Sequence, residues 1–350
     1  MRAVGKQKSR GGVGATMTSI ALPTGRRFDV VGLGNAIVDV LAETPADFPE
    51  KNGYAKGAMR LLDSEDEARR CAASLRQTGK AVVRSGGSAA NTVCGLTLLG
   101  KNCAFIGKVA NDILGGEFAE DLRRSGVHFD SERTSVAATG QCCIAVTPDG
   151  ERSMMTYLGA ARMLMERDID RAPIDDAAAL YIETYLWDEG DLQSLIRRAI
   201  DRAKKAGARV ALSLSDPFCV ERHRASLFAL LESGAVNVLF GNRDEYAAMF
   251  DGQDDDALAE FFKTRRCLAF RTLGANGAGV FWNGEYVFRP ALSDVPVVDV
   301  TGAGDLFAAG ALFALSEKFS LSACVDAGIA AASHVIGHLG GRANNALHTA

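Results

Sequence analysis

The 350-residue sequence lacks the features of membrane, disulfide-bonded and nucleic-acid-binding proteins. No apolar run reaches the ~18 residues of a membrane-spanning helix, and none near the start has signal-peptide length. Eight scattered cysteines without a C-x-x-C pair argue against a disulfide framework or a zinc site, and favour reduced, buried thiols in a cytoplasmic protein. With 39 basic against 43 acidic residues, no excess positive charge is available to face nucleic-acid phosphates.

Two common nucleotide-binding signatures are also missing. The sequence VGLGNAIVD (31–39) begins like the dinucleotide-binding fingerprint, but Ile37 occupies the position of the third glycine. No G-K-[ST] sequence occurs, so there is no Walker A motif. A hydride-transfer enzyme is therefore a remote interpretation, and a P-loop ATPase is excluded.

The charge is unevenly distributed along the chain. Residues 1–27 carry six basic residues and no acidic one, while the remainder holds 33 basic and 43 acidic residues, a net charge of −10. Because the first segment shows no amphipathic period, we interpret residues 1–27 as a basic disordered tail. We expect residues 28–350 to form one α/β domain.

Glycine is abundant, with 37 residues, and such an excess marks tight turns or backbone that approaches a ligand closely. From residue 28 onward, short apolar runs alternate with helical patterns, which predicts a mainly parallel, doubly wound sheet. The predicted strands cover residues 28–34, 103–110, 179–184, 209–214, 236–240 and 267–274. The predicted helices cover residues 64–79, 91–100, 190–206, 222–233 and 243–250.

Two segments interrupt this alternation. Residues 41–62 contain two prolines and no helical period, and residues 139–158 form two extended runs around a Pro-Asp-Gly turn, a hairpin signal. We expect a discontinuous β-sheet lid, about 41–62 and 133–160, inserted into the α/β body. Closure of such a lid would exclude water from a bound ligand.

The strongest functional motif is DVTGAGD (299–305), which follows a strand-like run and opens an apolar helix. Glycines at a helix start leave backbone N–H groups free at the positive end of the helix dipole, a favourable site for a phosphoryl group. Gly302, Ala303 and Gly304 are the predicted anion hole, and Asp305 is the predicted general base. An aspartate that only caps the helix is the alternative, and the preceding glycines weigh against it.

Polar residues follow other predicted strands. Asn242 and Glu245 share a helix face that could hold a hydrated Mg²⁺, or could simply form a solvated helix start. Thr272, Gly274 and Gly277 suit nucleotide phosphates or a plain hairpin turn. The candidates for binding substrate hydroxyls are Asn35, Asp39, Gly86, Gly87, Ser88 and Asn91. A Gly-Gly-Ser loop alone is usually only a turn, and Asp39 could instead cap a turn.

Two other groups have plainer explanations. His334 and His338 have the i, i+4 spacing of zinc ligands but no evident third ligand, so we interpret them as structural or pocket-lining residues. Tyr185 and Trp187 could stack on a nucleobase, although aromatic residues at such positions more often belong to the core.

In this order, the motifs resemble those of the ribokinase family of carbohydrate kinases, also called the phosphofructokinase-B family. The resemblance extends over nearly the whole chain from Phe28, and D-x-T-G-A-G-D at 299–305 and N-x-x-E at 242–245 make it specific. It implies a three-layer α/β/α ribokinase-like fold, with a mainly parallel central sheet and a small β-sheet lid.

The resemblance also implies an ATP-dependent kinase that transfers the γ-phosphoryl group to a primary hydroxyl of a nucleoside or sugar. Asp305 would be the base, and Asn242 and Glu245 would organise Mg²⁺ and the ATP phosphates. Asp299 and Thr301 match positions near a K⁺ site of many family members. The family leaves monomer and homodimer open.

Within the family, GNAIVD (34–39), LSLSDPF (212–218) and FGNRDEY (240–246) are most similar to the adenosine kinase branch, which favours conversion of adenosine to AMP. Arg162 departs from that branch, where a small polar residue is expected. A sugar kinase for ribose, fructose or a keto-deoxy sugar is the alternative. A non-catalytic nucleoside or sugar sensor is more remote, because a sensor does not need Asp305.

Overall fold

The computed structural model describes residues 21–79, 81–188, 192–338 and 340–342, whose strands form two separate sheets. In chain order the strands are β1 (Phe28–Leu33), β2 (Ile37–Glu43), β3 (Met59–Leu61), β4 (Val82–Ser85), β5 (Cys103–Ile106), β6 (Gly140–Val146), β7 (Arg152–Tyr157), β8 (Ala177–Glu183), β9 (Arg209–Ser213), β10 (Val238–Asn242), β11 (Leu268–Thr272), β12 (Ala278–Trp282) and β13 (Glu285–Arg289). The helices are α1 (Phe48–Lys51), α2 (Glu65–Arg76), α3 (Ser88–Leu98), α4 (Ile113–Arg124), α5 (Glu166–Arg171), α6 (Leu192–Lys205), α7 (Pro217–Glu232), α8 (Arg243–Phe250), α9 (Asp255–Lys263), α10 (Ala303–Ser316) and α11 (Leu321–Val335).

The central sheet has eight strands in the order β13-β12-β11-β10-β9-β8-β1-β5. The six strands from β11 to β5 pair in parallel, and β12 and β13 extend the sheet as antiparallel strands. All seven residues of β8 are buried, as expected for a parallel strand covered on both faces. The predicted mainly parallel sheet is confirmed.

Helices cover both faces of this sheet and complete the three layers. One apolar core joins the sheet to α3, α4, α10 and α11, and a second joins it to α5 through α9. The carboxyl ends of the parallel strands meet at one edge, where loops and helix N-termini collect. Ligands of open α/β sheets bind at this edge.

The second sheet is the lid, with five strands in the order β3-β7-β6-β2-β4. The predicted hairpin is confirmed as the antiparallel pair β6–β7, and α2 packs on one face of the sheet. The expected lid segments were too narrow, because β2 begins at Ile37 and β4 lies at Val82–Ser85. Residues 41–62 also contain the four-residue helix α1.

The helix boundaries differ from expectation where capping was not recognised. Helix α3 begins at Ser88 rather than residue 91, directly after Gly87. Helix α7 begins at Pro217 rather than residue 222, because the Asp216 side chain accepts hydrogen bonds from the N–H groups of Phe218 and Cys219. The strand-like run before Asp299 is irregular.

All eight cysteines are buried and none forms a disulfide, as expected. No helix in the described part of the chain is long and apolar enough to cross a membrane. Residues 1–20 of the predicted tail, and the first two residues of the predicted helix 190–206, lie outside the described residues. The division into tail and domain stays a prediction.

Candidate active site

A cavity of about 340 Å³ lies between the lid and the carboxyl edge of the central sheet. We call it the acceptor cavity. Its lid side is mostly apolar, and its floor is polar and acidic. The apolar lid residues that line it are Ile37, Met59, Leu61, Ile144, Met154 and Leu158. The polar residues of its floor include Asn35, Ser88, Asn91, Glu183, Asn242, Glu245 and Asp305, and the polar residues on its lid side are Asp39, Arg152 and Thr156.

Asp305 lies in the first turn of α10 and faces this cavity. Gly302 occupies the N-cap position, so the alternative that Asp305 caps the helix is wrong. Ser88 Oγ donates to Asp305 Oδ1 at 2.6 Å, and Asn91 Nδ2 donates to Oδ2 at 2.9 Å. Burial raises the pKa of Asp305 above its ordinary value, against the lowering effect of these two hydrogen bonds.

These contacts give Ser88 and Asn91 a different partner from the expected substrate hydroxyls. Both side chains come from the first turn of α3 and fix the orientation of the Asp305 carboxylate. Thr92, one residue further on, donates from Oγ1 to the Asp305 carbonyl at 3.2 Å. The N-terminus of α3 is therefore joined to that of α10 at the predicted base.

The predicted anion hole is the turn Gly302–Gly304 before Asp305, and its role stays a prediction. Gly302 has φ of 74°, in the left-handed region that favours glycine. The Ala303 N–H donates to the Val300 carbonyl at 3.2 Å, which leaves it less available than predicted. Among the described residues, the backbone N–H groups of Gly304 and Asp305 have no backbone partner. These two groups are the open donors at the N-terminus of α10.

Asn35 and Asp39 lie beside the glycine pair that precedes α3. A Cβ on Gly86 would be 2.3 Å from Asp39 Oδ2, and one on Gly87 would be 2.3 Å from the Asn35 carbonyl oxygen. Only glycine permits this close approach. Burial raises the pKa of Asp39 to about 7, although Arg152 and Arg342 act in the opposite direction.

Glu183 is a site residue that the sequence analysis missed. Its Oε1 accepts from the Asn35 N–H at 2.8 Å and its Oε2 from the Ala89 N–H at 2.7 Å. The carboxylate thus joins the end of β1 to the N-terminus of α3, and burial raises its pKa to about 7. An acidic residue ending the apolar strand ALYIE was the available signal.

Two arginines were also missed. Arg152 lies on lid strand β7 and faces the acceptor cavity; its Nε is 3.6 Å from Asp299 Oδ1. Its Nε and Nη2 are buried without a hydrogen-bond partner. Arg342 donates from Nε to Asn91 Oδ1 at 3.1 Å and forms an ion pair with Asp121. No local motif marks either residue.

Asn242 and Glu245 form a reciprocal capping box at the start of α8. The Asn242 N–H and Nδ2 donate to the two carboxylate oxygens of Glu245 at 2.9 and 2.7 Å. Glu245 is nevertheless buried in the cavity floor, and burial raises its pKa to about 7. The alternative of a solvated helix start is therefore wrong for Glu245.

A second cavity of about 470 Å³ adjoins the first, and we call it the nucleotide cavity because it contains the residues predicted to bind a nucleotide. Thr272, Gly274 and Gly277 line it, at the turn between β11 and β12. This turn is also the hairpin that the sequence allowed. Val300, Ala303 and Gly304 line both cavities, so the N-terminus of α10 stands at their junction.

Asp299 braces the loop that leads to this junction. Its Oδ1 accepts from the N–H and the hydroxyl of Thr301 at 2.9 and 2.5 Å, and its Oδ2 accepts from the Gly340 N–H at 2.8 Å. The predicted K⁺ role of Asp299 and Thr301 stays a prediction.

Of the remaining aromatic and histidine candidates from the sequence, one lines the cavity and the others pack elsewhere in the protein. Tyr185 lines the acceptor cavity and donates from its hydroxyl to the Ser215 carbonyl at 3.1 Å. Trp187 is buried in the core, which confirms the plainer explanation. His334 and His338 pack ring against ring, 5.3 Å apart, and belong to no potential metal-binding group among the described residues.

Comparison with known proteins agrees with this geometry. The model of the pfkB family of carbohydrate kinases matches residues 58–348. The solved structure of an adenosine kinase from Sinorhizobium meliloti is 41% identical in sequence to this chain, with a TM-score of 0.85. The solved structure of a probable sugar kinase from Rhizobium etli is 38% identical, with a TM-score of 0.84. Each match covers 92% of this chain and 97% of the chain in the solved structure. A 5-dehydro-2-deoxygluconokinase from Photobacterium profundum is 26% identical over 83% of this chain and 84% of its own length.

Proposed function

The chain belongs to the pfkB family of carbohydrate kinases, and from that premise we propose that it transfers the γ-phosphoryl group of ATP to the primary hydroxyl of a nucleoside, with adenosine as the preferred acceptor. The observation that carries the proposal is the position of Asp305. Its carboxylate faces the acceptor cavity, while the open N–H groups of its helix turn stand where the two cavities meet.

In the proposed reaction Asp305 takes the proton of the attacking hydroxyl. Ser88 and Asn91 hold the two carboxylate oxygens, so the base needs little reorganisation when the acceptor enters. The N–H groups of Gly304 and Asp305 stabilise the charge that develops on the transferred group. Catalysis of this kind depends on positioning and electrostatics rather than on a covalent intermediate.

The residues at the junction fit a nucleotide with its magnesium ion. Glu245 is a buried carboxylate whose oxygens are held by Asn242, which suits contact with a cation through water rather than direct ligation. Mg²⁺ would neutralise phosphate charge at that position. Thr272, Gly274 and Gly277 would hold the nucleotide in its own cavity.

Arg152 supplies positive charge to the acceptor cavity from the lid. A buried guanidinium with unpartnered nitrogens is complementary to an anion, and this one lies beside the junction through its contact with Asp299. We assign it to the transferred phosphoryl group, which it would reach from the lid.

The acceptor cavity fits a nucleoside better than a free sugar. Asn35 and Asp39 supply polar groups for ribose hydroxyls next to the base. The six apolar lid residues of the cavity wall give a face on which a flat nucleobase can pack, and this apolar area would not be matched by the hydroxyls of a hexose.

A second candidate is a keto-deoxy sugar acid. The unpartnered nitrogens of Arg152 favour it, because a carboxylate could take the place assigned above to phosphate. Turnover of a panel of nucleosides, fructose, ribose and keto-deoxy sugar acids with MgATP distinguishes the two. Brisk phosphorylation of a sugar acid without any of adenosine would overturn the nucleoside proposal.

The kinase mechanism is tested by Asp305→Asn. We expect kcat to fall by at least ~10², the range that a general base contributes, while adenosine and MgATP still bind in calorimetry. Asp254→Asn is the matched control, because Asp254 only caps α9 and asparagine caps equally well. Wild-type turnover by Asp305→Asn would remove Asp305 as the base. Adenosine binding by the wild-type protein without any phosphorylated product would indicate a sensor.

A further inference from the structure

Asp188 is an acidic residue of the acceptor cavity for which the proposed reaction has no use. It ends the 3₁₀ turn Thr184–Asp188 that follows β8, and its side chain is 8% exposed. It lines the cavity wall together with Tyr185 and Ser215.

Two residues of α7 hold this carboxylate. Arg222 Nε and Nη2 donate to Asp188 Oδ1 at 2.9 and 2.8 Å, and His223 Nε2 lies 2.9 Å from the same oxygen. Within the described residues, which leave out 189–191, Oδ2 has one contact, from Arg222 Nη2 at 2.7 Å. Since each carboxylate oxygen can accept about two hydrogen bonds, Oδ1 is saturated and Oδ2 keeps capacity to accept one more.

A metal ion is a poorer explanation of this cluster. The ligand atoms of Asp188, Cys219 and His223 lie within 4.8 Å of one another, a spacing that a cation could bridge. Arg222, however, already donates to both carboxylate oxygens. Cys219 Sγ donates to the Thr184 carbonyl at 3.2 Å, and burial raises the pKa of this thiol to about 12, so it remains protonated. The cluster is therefore a hydrogen-bonded clamp on Asp188.

The position of a bound nucleoside follows from its reactive hydroxyl. That hydroxyl must lie at Asp305, and the ribose beside Asn35 and Asp39, so the base extends along the rest of the cavity. The Tyr185 hydroxyl there already donates to Ser215, and the Thr156 hydroxyl donates to Cys142 Sγ. Among these side chains, Asp188 can still accept a hydrogen bond from the base through Oδ2, and Arg222 and His223 fix the orientation of its carboxylate.

Resting on the proposed function, we propose that Asp188 determines which nucleobase is accepted: its Oδ2 accepts a hydrogen bond from an exocyclic amino group of the base. A 6-aminopurine provides that donor. A 6-oxopurine would place a carbonyl oxygen against the carboxylate, which repels it and leaves a buried acceptor unpaired. Arg222 and His223 are positioning residues in this assignment.

The wild-type enzyme tests the assignment with three nucleosides: adenosine, purine riboside, which lacks a 6-substituent, and inosine, which carries a 6-oxo group. We expect kcat/KM to fall about 10-fold for purine riboside and by ~10² or more for inosine, because a site built to bind a donor rejects analogues without it. Similar values for adenosine and inosine would overturn the role of Asp188 and leave the proposed function intact. No turnover of any nucleoside would overturn both.

Asp188→Asn gives a second, sharper test. The amide oxygen, in the place of Oδ1, would keep the hydrogen bonds from Arg222 Nε and His223 Nε2. The NH₂ group, in the place of Oδ2, would lose the hydrogen bond from Arg222 Nη2 and would be free to donate to a 6-oxo group in the cavity. We expect the ratio of adenosine to inosine kcat/KM to fall by ~10² or more, with the KM for MgATP unchanged. Glu221→Gln is the control, since it removes the same charge from an exposed position of α7. An unchanged ratio in a folded Asp188→Asn variant would overturn the assignment.

Discussion

Two glycines of the predicted anion hole are expected to respond oppositely to alanine substitution. Gly302 has φ of 74°, and a Cβ there would lie 2.4 Å from the Gly341 carbonyl oxygen, a backbone atom that cannot swing away. Gly304 has no positive φ, and its Cβ would have no atom within 4 Å. Gly302 is therefore required by the fold, while the space beside Gly304 is open.

The expected magnitudes follow from these surroundings. In Gly302→Ala, the left-handed conformation costs ~1–2 kcal/mol, and displacement of the Gly341 backbone adds ~1–2 kcal/mol. At about 2 °C per kcal/mol, the melting temperature should fall by ~4–8 °C. Gly304→Ala should leave the melting temperature unchanged or raise it slightly, because alanine is the better helix former by up to ~1 kcal/mol.

In these two alanine variants, the change in turnover should not parallel the change in melting temperature. The Gly304→Ala methyl group would project into the junction of the two cavities and displace the transferred group from the N–H donors. A misplacement of about 1 Å costs ~10²-fold in turnover. Thermal unfolding without ligands and steady-state kinetics with adenosine and MgATP measure the two effects. A near-wild-type kcat in Gly304→Ala would refute the placement of the transferred phosphoryl group beside Gly304. An unchanged melting temperature in Gly302→Ala would refute the close contact between Gly302 and Gly341.

Two further predictions concern charge in the acceptor cavity. Because Asp39 has a pKa raised to about 7 and must be ionised to accept from ribose hydroxyls, kcat/KM for adenosine should rise with pH up to about pH 8. Glu183 and Glu245, whose pKa values burial also raises to about 7, contribute to the same limb, so Asp39→Asn should make the limb less steep rather than abolish it. The folded protein binds the proton of Asp39 more tightly than the unfolded chain does, so the free energy of unfolding without ligands should increase as pH falls from 7 towards 5. A decrease attributable to Asp39 over the same pH range would contradict the raised pKa of this residue. Arg152→Ala should lower kcat by ~10²-fold with every acceptor if it contacts phosphate; an effect confined to the KM of sugar acids would assign it to the acceptor instead.

The fold and the backbone features of the site could be predicted because they depend on nearby residues. Alternating apolar runs specify buried parallel strands and their crossover helices. Glycine before a helix start specifies an exposed N-terminus, and this locates residues 299–305 and 85–91 without tertiary information. The N-cap of α7 also lies in adjacent sequence, and it was missed because Asp216 was not recognised as a capping residue before Pro217.

The charged residues that connect the site could not be predicted in this way, because their partners are distant in sequence. Glu183 accepts from the N–H of Asn35, 148 positions earlier, and Arg342 donates to Asn91, 251 positions earlier. Nothing in the local sequence of either residue specifies such a partner. The hydrogen bonds of Ser88 and Asn91 to Asp305 could not be predicted for the same reason, since they exist only after α3 and α10 pack together; the substrate role of these two residues stays a prediction.

Even the local DVTGAGD motif depends on a distant segment for its shape. The Gly340 N–H donates to Asp299 Oδ2 at the start of the motif, and the Gly341 backbone packs against Gly302 in its middle. Arg342 then reaches Asn91, which holds Asp305 at the end of the motif. A sequence motif can thus specify which backbone conformations the turn is able to adopt. The one that it does adopt is determined by residues 340–342, because they contact the beginning, the middle and, through Asn91, the end of the turn.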